Sequence, residues 1–214
     1  DSVRENLFKG GRNTHFHQDV SISYNLPMQK IPFLDWTSVR ASYLAKYDWI
    51  GASLLAKGLG NTLLNGNTKN ITADFNFDQL YNKWNLLRSL NSSAPPNKSP
   101  KDTSTVKKPR NPNEPIQIAG VPKFFGRILT SVKRVGIQYT EDLGTLLPGY
   151  LDSTKFLGQN FNSGAPGFDF ILGYQPDTNW INNAGAKGLL TRDPLFNSLI
   201  QQRFNQRLNI TAQL

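Results

Sequence analysis

The sequence predicts an all-β fold, an antiparallel transmembrane β-barrel segment from a very large barrel, with short helices in its connections. Three observations predict it. Apolar and polar residues alternate with period two over runs of about twelve residues, roughly twice the length of an ordinary soluble strand. Aromatic residues sit toward the ends of the apolar faces, the depth at which barrels carry aromatic girdles. The 214 residues hold no apolar run long enough for a membrane helix, so any crossing is made by strands, whose hydropathy signal is weak.

The first strand is read over 16–26. Phe16, Val20, Ile22, Tyr24 and Leu26 share one face, and His15, His17, Asp19, Ser21, Ser23 and Asn25 share the other. The second covers 39–50, with Val39, Ala41, Tyr43, Ala45, Tyr47 and Trp49 opposed by Arg40, Ser42, Lys46 and Asp48. Leu44 and Ile50 break the alternation. Side chains alternate across a strand, so each segment has one greasy and one hydrophilic side. Twelve residues at about 3.3 Å each span about 40 Å, or about 30 Å along the membrane normal at a 40° tilt.

Weaker copies follow. Residues 51–67 are ambiguous, and Leu54, Leu55, Leu63 and Leu64 can extend neighbouring strands. Ile71, Ala73, Phe75 and Phe77 alternate with Thr72, Asp74 and Asn76 as a third strand. Leu80, Tyr81, Trp84 and Leu87 then fall at helical spacing, with Asp78 placed to cap a helix near 78–90. Residues 91–115 are polar and Pro-rich, composition that cannot bury a core, and read as a mobile linker or loop. In the fourth strand Val135, Ile137 and Tyr139 oppose Arg134, Gln138 and Thr140; Ile128, Thr130 and Val132 have the other phase, which predicts a bulge near Lys133. Phe168, Phe170, Leu172 and Tyr174 form a fifth set. Asp193 and Pro194 open a helix near 193–202 carrying Leu195, Phe196, Leu199 and Ile200. Leu208, Ile210, Ala212 and Leu214 form the sixth, opposed by Arg207, Asn209, Thr211 and Gln213.

The organisation expected is barrel strands over 1–90, the linker over 91–115, and barrel strands over 116–214. Parity of six hairpin-linked strands places both helices on one side of the sheet. Six strands do not close a barrel. The chain opens on Asp1 and stops within a strand at Leu214, so the expectation is a part of a longer polypeptide, with any secretory leader absent or removed. The expected lipid-facing residues are Val20, Ile22, Tyr24, Val39, Tyr43, Tyr47, Trp49, Ile137, Tyr139, Phe168, Phe170, Leu172, Tyr174, Leu208 and Ile210. The expected lumen-facing residues are His15, His17, Asp19, Arg40, Lys46, Asp48, Gln138, Arg207 and Asn209.

Charge and motifs narrow the chemistry. The net charge is +9, from 24 Lys and Arg against 15 Asp and Glu. The basic residues form no stripe; Lys107, Lys108 and Arg110 make the one cluster, with no nucleic-acid signature around it, so no nucleic-acid partner is expected. Cysteine is absent, which excludes disulfides, thiolate metal sites and a catalytic thiol within these residues. His15, His17 and Asp19 share a strand face and have ligand character, but a stable site needs more donors, and a polar lumen wall accounts for them. Glu141 and Asp142 are adjacent and point to opposite faces, unlike the paired carboxylates of a glycosidase. No Gly-x-Ser-x-Gly elbow supports a hydrolase, and neither Gly10-Gly11 nor Gly58-Leu59-Gly60 makes a phosphate loop. Tyr81 with Trp84 reads as a helix face packed on its own loop or the barrel rim. Asn70-Ile71-Thr72 fits a glycosylation acceptor only by pattern. No enzyme activity and no cofactor are expected.

Several runs are more specific. Tyr24-Asn25-Leu26-Pro27 followed by Lys30-Ile31-Pro32-Phe33-Leu34-Asp35-Trp36 resembles the SprA/Sov family, the outer-membrane translocon of the type 9 secretion system in gliding and related bacteria. So do Asp74-Phe75-Asn76-Phe77-Asp78-Gln79-Leu80-Tyr81-Asn82-Lys83, the stretch 132–139 leading into Gly144-Thr145-Leu146-Leu147-Pro148-Gly149-Tyr150, and 167–174. These motifs occur in order and touch most of the chain. The resemblance implies a very large single-chain barrel in the bacterial outer membrane, with a pore that exports folded cargo proteins. It implies as partners the remainder of the barrel chain, a plug protein, a PorV-type shuttle barrel, periplasmic components, membrane lipid and secreted cargo. Family members are many times longer than this chain. Two other readings fit the strand physics: a different outer-membrane barrel, such as a nutrient transporter or lipopolysaccharide inserter, and a soluble extracellular β-sandwich binding module, in which Val39, Tyr43, Tyr47 and Trp49 are covered by protein.

Overall fold

The computed structural model describes residues 13–83 and 131–214. Within them the chain is mostly antiparallel sheet: β1 His15–Leu26, β2 Thr37–Ile50, β3 Asn61–Asn76, β4 Arg134–Tyr150 and β5 Gln201–Gln213. The sheet order is β1-β2-β3-β4-β5, each strand bonded to its sequence neighbours. The sheet is not closed, and β1 and β5 form its edges. The all-β expectation holds at this level. No helix among the described residues is long and apolar enough to cross a membrane.

β1 and β2 begin and end close to where alternation placed them, because Val, Ile, Tyr and Trp fill one face without interruption. β3 is longer than expected and absorbs most of the ambiguous stretch, leaving Leu54–Leu59 as 3-10 turns. Its first half, with Asn61, Asn65, Gly66 and Asn67, has turn-like composition, which hid the strand. β4 runs 17 residues to Tyr150, through Gly144 and Pro148. The expected bulge is not at Lys133: its backbone is bonded on both sides, N–H to Gln213 O at 2.8 Å and O to Phe77 N–H at 2.9 Å.

The fifth expected strand is a correction. Phe168, Phe170, Leu172 and Tyr174 lie on helix α2, Phe168–Ile171, and the turn after it; α1 is Phe77–Lys83, after β3. Gly167 at φ 99° and Gly173 at φ 91° reverse the chain on either side, in a region closed to most side chains. A β-carbon on Gly173 would stand 2.7 Å from Gly66 O, so the turn also needs glycine for contact. Helix α3, Thr178–Ala186, is capped by the Asp177 side chain accepting from Trp180 N–H at 2.7 Å. Helix α4, Pro194–Asn197, has the expected start: Asp193 accepts from Leu195 N–H at 3.0 Å and proline opens the first turn. It ends before Leu199 and Ile200.

The Asp78 cap is also corrected. Asp78 lies inside the first turn of α1, and Asn76 Oδ1 accepts from Gln79 N–H at 3.4 Å. Trp84, Leu87, Ile128, Thr130 and the 91–115 linker lie outside the described residues. With five strands, α1 and α4 fall in successive connections, so the parity that put both helices on one side no longer holds.

The chain divides into two compact units, and all five strands contribute to both. One unit takes Asn25–Arg40, Thr72–Gln138 and Asn209–Leu214. Its aromatic chain runs from Phe75 to Trp36 to Phe77 to Tyr81, with ring centroids 5.9, 5.2 and 6.0 Å apart. Lys83, at the end of α1, pairs with Asp35 in the β1–β2 connection. The lysine holds the Asp35 carboxyl below its ordinary value of 3.8. A depressed carboxylate contributes stability above 3.8 that is lost as pH falls through the lowered value. Amide exchange in α1 is therefore expected to accelerate below about pH 4, and Asp35→Asn should remove that pH dependence; an unchanged profile in the variant would refute the pairing.

The other unit takes Ala41–Ile71, Tyr139–Leu208 and the chain through Tyr24. Its core joins strand residues Tyr47, Trp49, Leu63, Leu147 and Tyr150 to Ala165, Phe170, Ile171, Ala184 and Leu190 of the β4–β5 connection. That connection folds back on β4: Leu151 N–H donates to Leu189 O and Thr191 N–H to Gly149 O.

Candidate functional surface

Within the second unit the two faces of the sheet differ sharply. On one, His15 Nε2 and His17 Nδ1 both reach Asp48 Oδ1, at 3.0 and 2.6 Å, and His17 Nε2 lies 3.3 Å from Asp19. Thr68 donates to Asp142 at 2.7 Å. The expected hydrophilic residues His15, His17, Asp19 and Asp48 are thus brought together. Lys46 and Arg207 are exposed on their strands and do not join them; nor, in the first unit, do Arg40, Gln138 and Asn209. Alternation supplied the face but not the partner, since a cross-strand contact such as His17 with Asp48 depends on register. Among the described residues no group of three or more His, Asp or Glu is placed to hold a metal ion.

The opposite face is partly bare and partly covered. Ile22, Tyr24 and Leu208 are exposed, Ile22 at 63 %, as is Ile210 in the first unit. Val20 and Tyr139 are half-buried, as are Val39 and Ile137 in the first unit. Three of the residues expected to meet lipid are corrected. Tyr47 and Trp49 are 0 % and 3 % exposed, and Phe170 is fully buried against them. Tyr43 is half-buried, and its hydroxyl donates to Leu172 O at 2.5 Å. Alternation identifies an apolar face but not what covers it; here the cover is the 151–190 stretch of the β4–β5 connection. Phe168, Leu172 and Tyr174 are exposed on that cover rather than on a strand.

Polar groups on this face bind the cover. Asn65 Nδ2 donates to Phe170 O at 3.0 Å and Tyr174 O at 2.6 Å, and Asn67 Nδ2 to Gly173 O at 2.6 Å. These carbonyls lie at the end of α2 and in the turn after it, where Phe170 O also accepts from Gly173 N–H at 3.0 Å and Gly173 O from Gln175 Nε2 at 2.9 Å. The same asparagines that made β3 look like a turn are thus its docking groups. Asn65→Ala removes the donor shared by two carbonyls, of which Phe170 O keeps the Gly173 N–H, and a cost of about 0.5–1.5 kcal/mol is expected. Faster amide exchange confined to 168–176 checks it, and unchanged exchange there would count against the role. Beyond the cover, Lys69 pairs with Glu141 at 2.7 Å, and Tyr139 Oη donates to Glu141 and accepts from Gln206 Nε2 at 2.7 Å. Single-strand alternation did not reveal this polar row.

Compared with protein-family models and with curated proteins, the chain finds no match in either.

Proposed function

We propose that this chain is a wall segment of a large outer-membrane channel that conducts folded proteins, as in type 9 secretion, and that it carries no catalytic site. The observation that supports this reading is the sheet: consecutive antiparallel strands of 12 to 17 residues, open at both edges, with one charged face and one that is mostly apolar apart from the Lys69–Glu141 row. About 9–11 residues of tilted strand cross a bilayer, so these strands exceed the need. The bare apolar residues Ile22, Tyr24, Leu208 and Ile210 face acyl chains, with half-buried Val20, Val39 and Ile137 beside them. His15, His17, Asp19, Arg40, Lys46, Asp48, Gln138, Arg207 and Asn209 line water. The edges of β1 and β5 pair with further strands of the same polypeptide, because unpaired backbone groups in lipid cost several kcal/mol each. The resemblance adds a plug, a PorV-type shuttle barrel and exported cargo as partners.

A different outer-membrane barrel has the same strand physics. The soluble sandwich reading draws on one specific observation, the burial of Tyr47 and Trp49; their cover, however, is a connection of turns and short helices rather than a second sheet. Alkaline extraction of membranes containing the full-length protein separates these readings. The wall reading expects the protein to stay in the pellet and need detergent, and release into the supernatant would refute it.

A further inference from the structure

One end of the covered unit holds a cavity of about 450 Å3 lined by Asn13, Trp49, Lys57, Asn61, Ser153 and Lys155, among others. Its lining includes two lysines and no carboxylate. The nearest acid in sequence, Asp152, has its carboxylate turned into the following turn, where it accepts from Ser153 N–H and Asn160 Nδ2, both at 2.7 Å. The Asp152 carbonyl accepts from Trp49 Nε1 and Asn61 Nδ2, at 3.2 and 2.8 Å, which fixes the wall between the lysines. Both lysines are exposed.

Apolar residues neighbour both lysines along the chain. Leu54 and Leu55 precede Lys57, and Leu55 is fully exposed; Phe156 and Leu157 follow Lys155 and are exposed as well. The 156–159 turn is held by a Phe156–Gln159 bridge, with Leu157 at φ 50°. Gly158 sits against the Tyr47 ring, where a β-carbon would come within 3.0 Å. The backbone therefore presents Phe156 and Leu157 outward on a fixed base. Two lysines lining one cavity can hold a phosphate as point charges, and exposed leucines and a phenylalanine next to them in the chain match the composition of a membrane interface.

We infer that Lys57 and Lys155 clamp the phosphate of a phospholipid-type headgroup in this cavity, its acyl chains lying along Leu54, Leu55, Phe156 and Leu157. The lipid source of the phosphate rests on the membrane-wall reading; the anion site does not. Native mass spectrometry of the full-length protein in detergent, titrated with dioctanoyl phosphatidic acid, dioctanoyl glycerol and inorganic phosphate, tests it. Phosphatidic acid is expected to bind, and K57E/K155E to weaken it at least tenfold. The milder K57Q/K155Q should show the same direction if the charge reversal disturbs folding, and K187E, on the C-terminal side of α3, should leave binding unchanged. L54S/L55S should weaken phosphatidic acid and leave inorganic phosphate unaffected. Binding that ignores both lysine variants overturns the site, and inorganic phosphate binding as tightly as the lipid overturns the lipid source. Release of the protein by alkaline extraction, with lysine-dependent phosphatidic acid binding intact, would remove the wall reading and leave the anion site standing.

Discussion

Phe170→Ala is expected to cost the covered unit about 3–5 kcal/mol, the range for truncating a buried phenylalanine. The ring has no exposed surface. It meets Tyr47 edge-on at 6.1 Å and 86°, and stacks on Trp180 at 5.1 Å and 18°. It therefore joins β2 to α2 and α3 at one point. Its loss opens a cavity that Tyr47 and Trp180 cannot fill without moving β2 or α3. Limited proteolysis and amide exchange across 151–190 provide the readout, with β5 as internal reference. Phe170→Leu should show the smaller part of the effect, because it keeps most of the apolar volume. Exchange in 151–190 that stays at the parent level in Phe170→Ala would show that other contacts hold the cover.

If the chain is a membrane wall, Ile210→Arg is expected to cost up to about 2–4 kcal/mol in the bilayer, the midplane figure, against little for Asn209→Arg next to it. Adjacent strand residues point to opposite faces, so on the wall reading the pair compares lipid with lumen at almost the same depth. Ile210 is 62 % exposed, so little packing is lost when it is replaced. In water a surface exchange of this kind changes stability by roughly 0.5 kcal/mol or less. The comparison therefore reads the environment rather than the contacts. Unfolding of the full-length protein from lipid vesicles in urea measures both, and equal effects at 209 and 210 would sink the two-faced wall.

Much of the sheet was legible in residue order alone. β1 and β2 alternate apart from Gln18, Leu44 and Ile50, and their boundaries lie close to where Val, Ile, Tyr and Trp stop. β3 and β4 were half legible, because Asn65, Gly66, Asn67, Gly144 and Pro148 carry turn-like chemistry into strand interiors. The 168–174 stretch has strand periodicity and is not a strand: Gly167 and Gly173 reverse the chain at each end, and a helical turn fits between them. Candidate surface residues fared in the same way. His15, His17 and Asp19 declare a face by themselves, whereas Asp48 joins them only through β1–β2 register. Tyr47 and Trp49 were assigned to lipid because alternation reports which side is apolar. Their actual cover arrives from more than a hundred residues downstream, and nothing within β2 encodes it.

The strict neighbour-to-neighbour order of the strands has a kinetic consequence. Each pairing closes only the segment that joins consecutive strands, so the sheet can zip in the order in which it leaves the ribosome or the insertion machinery. Going from the 27–36 junction to the fivefold longer 151–200 junction would cost a slack chain only about 1.4 kcal/mol more in closure entropy. The longer junction is not slack, since α2, α3 and the Tyr150–Leu190 bridge bring its ends together. β5 is thus delivered to its edge by a prefolded spacer.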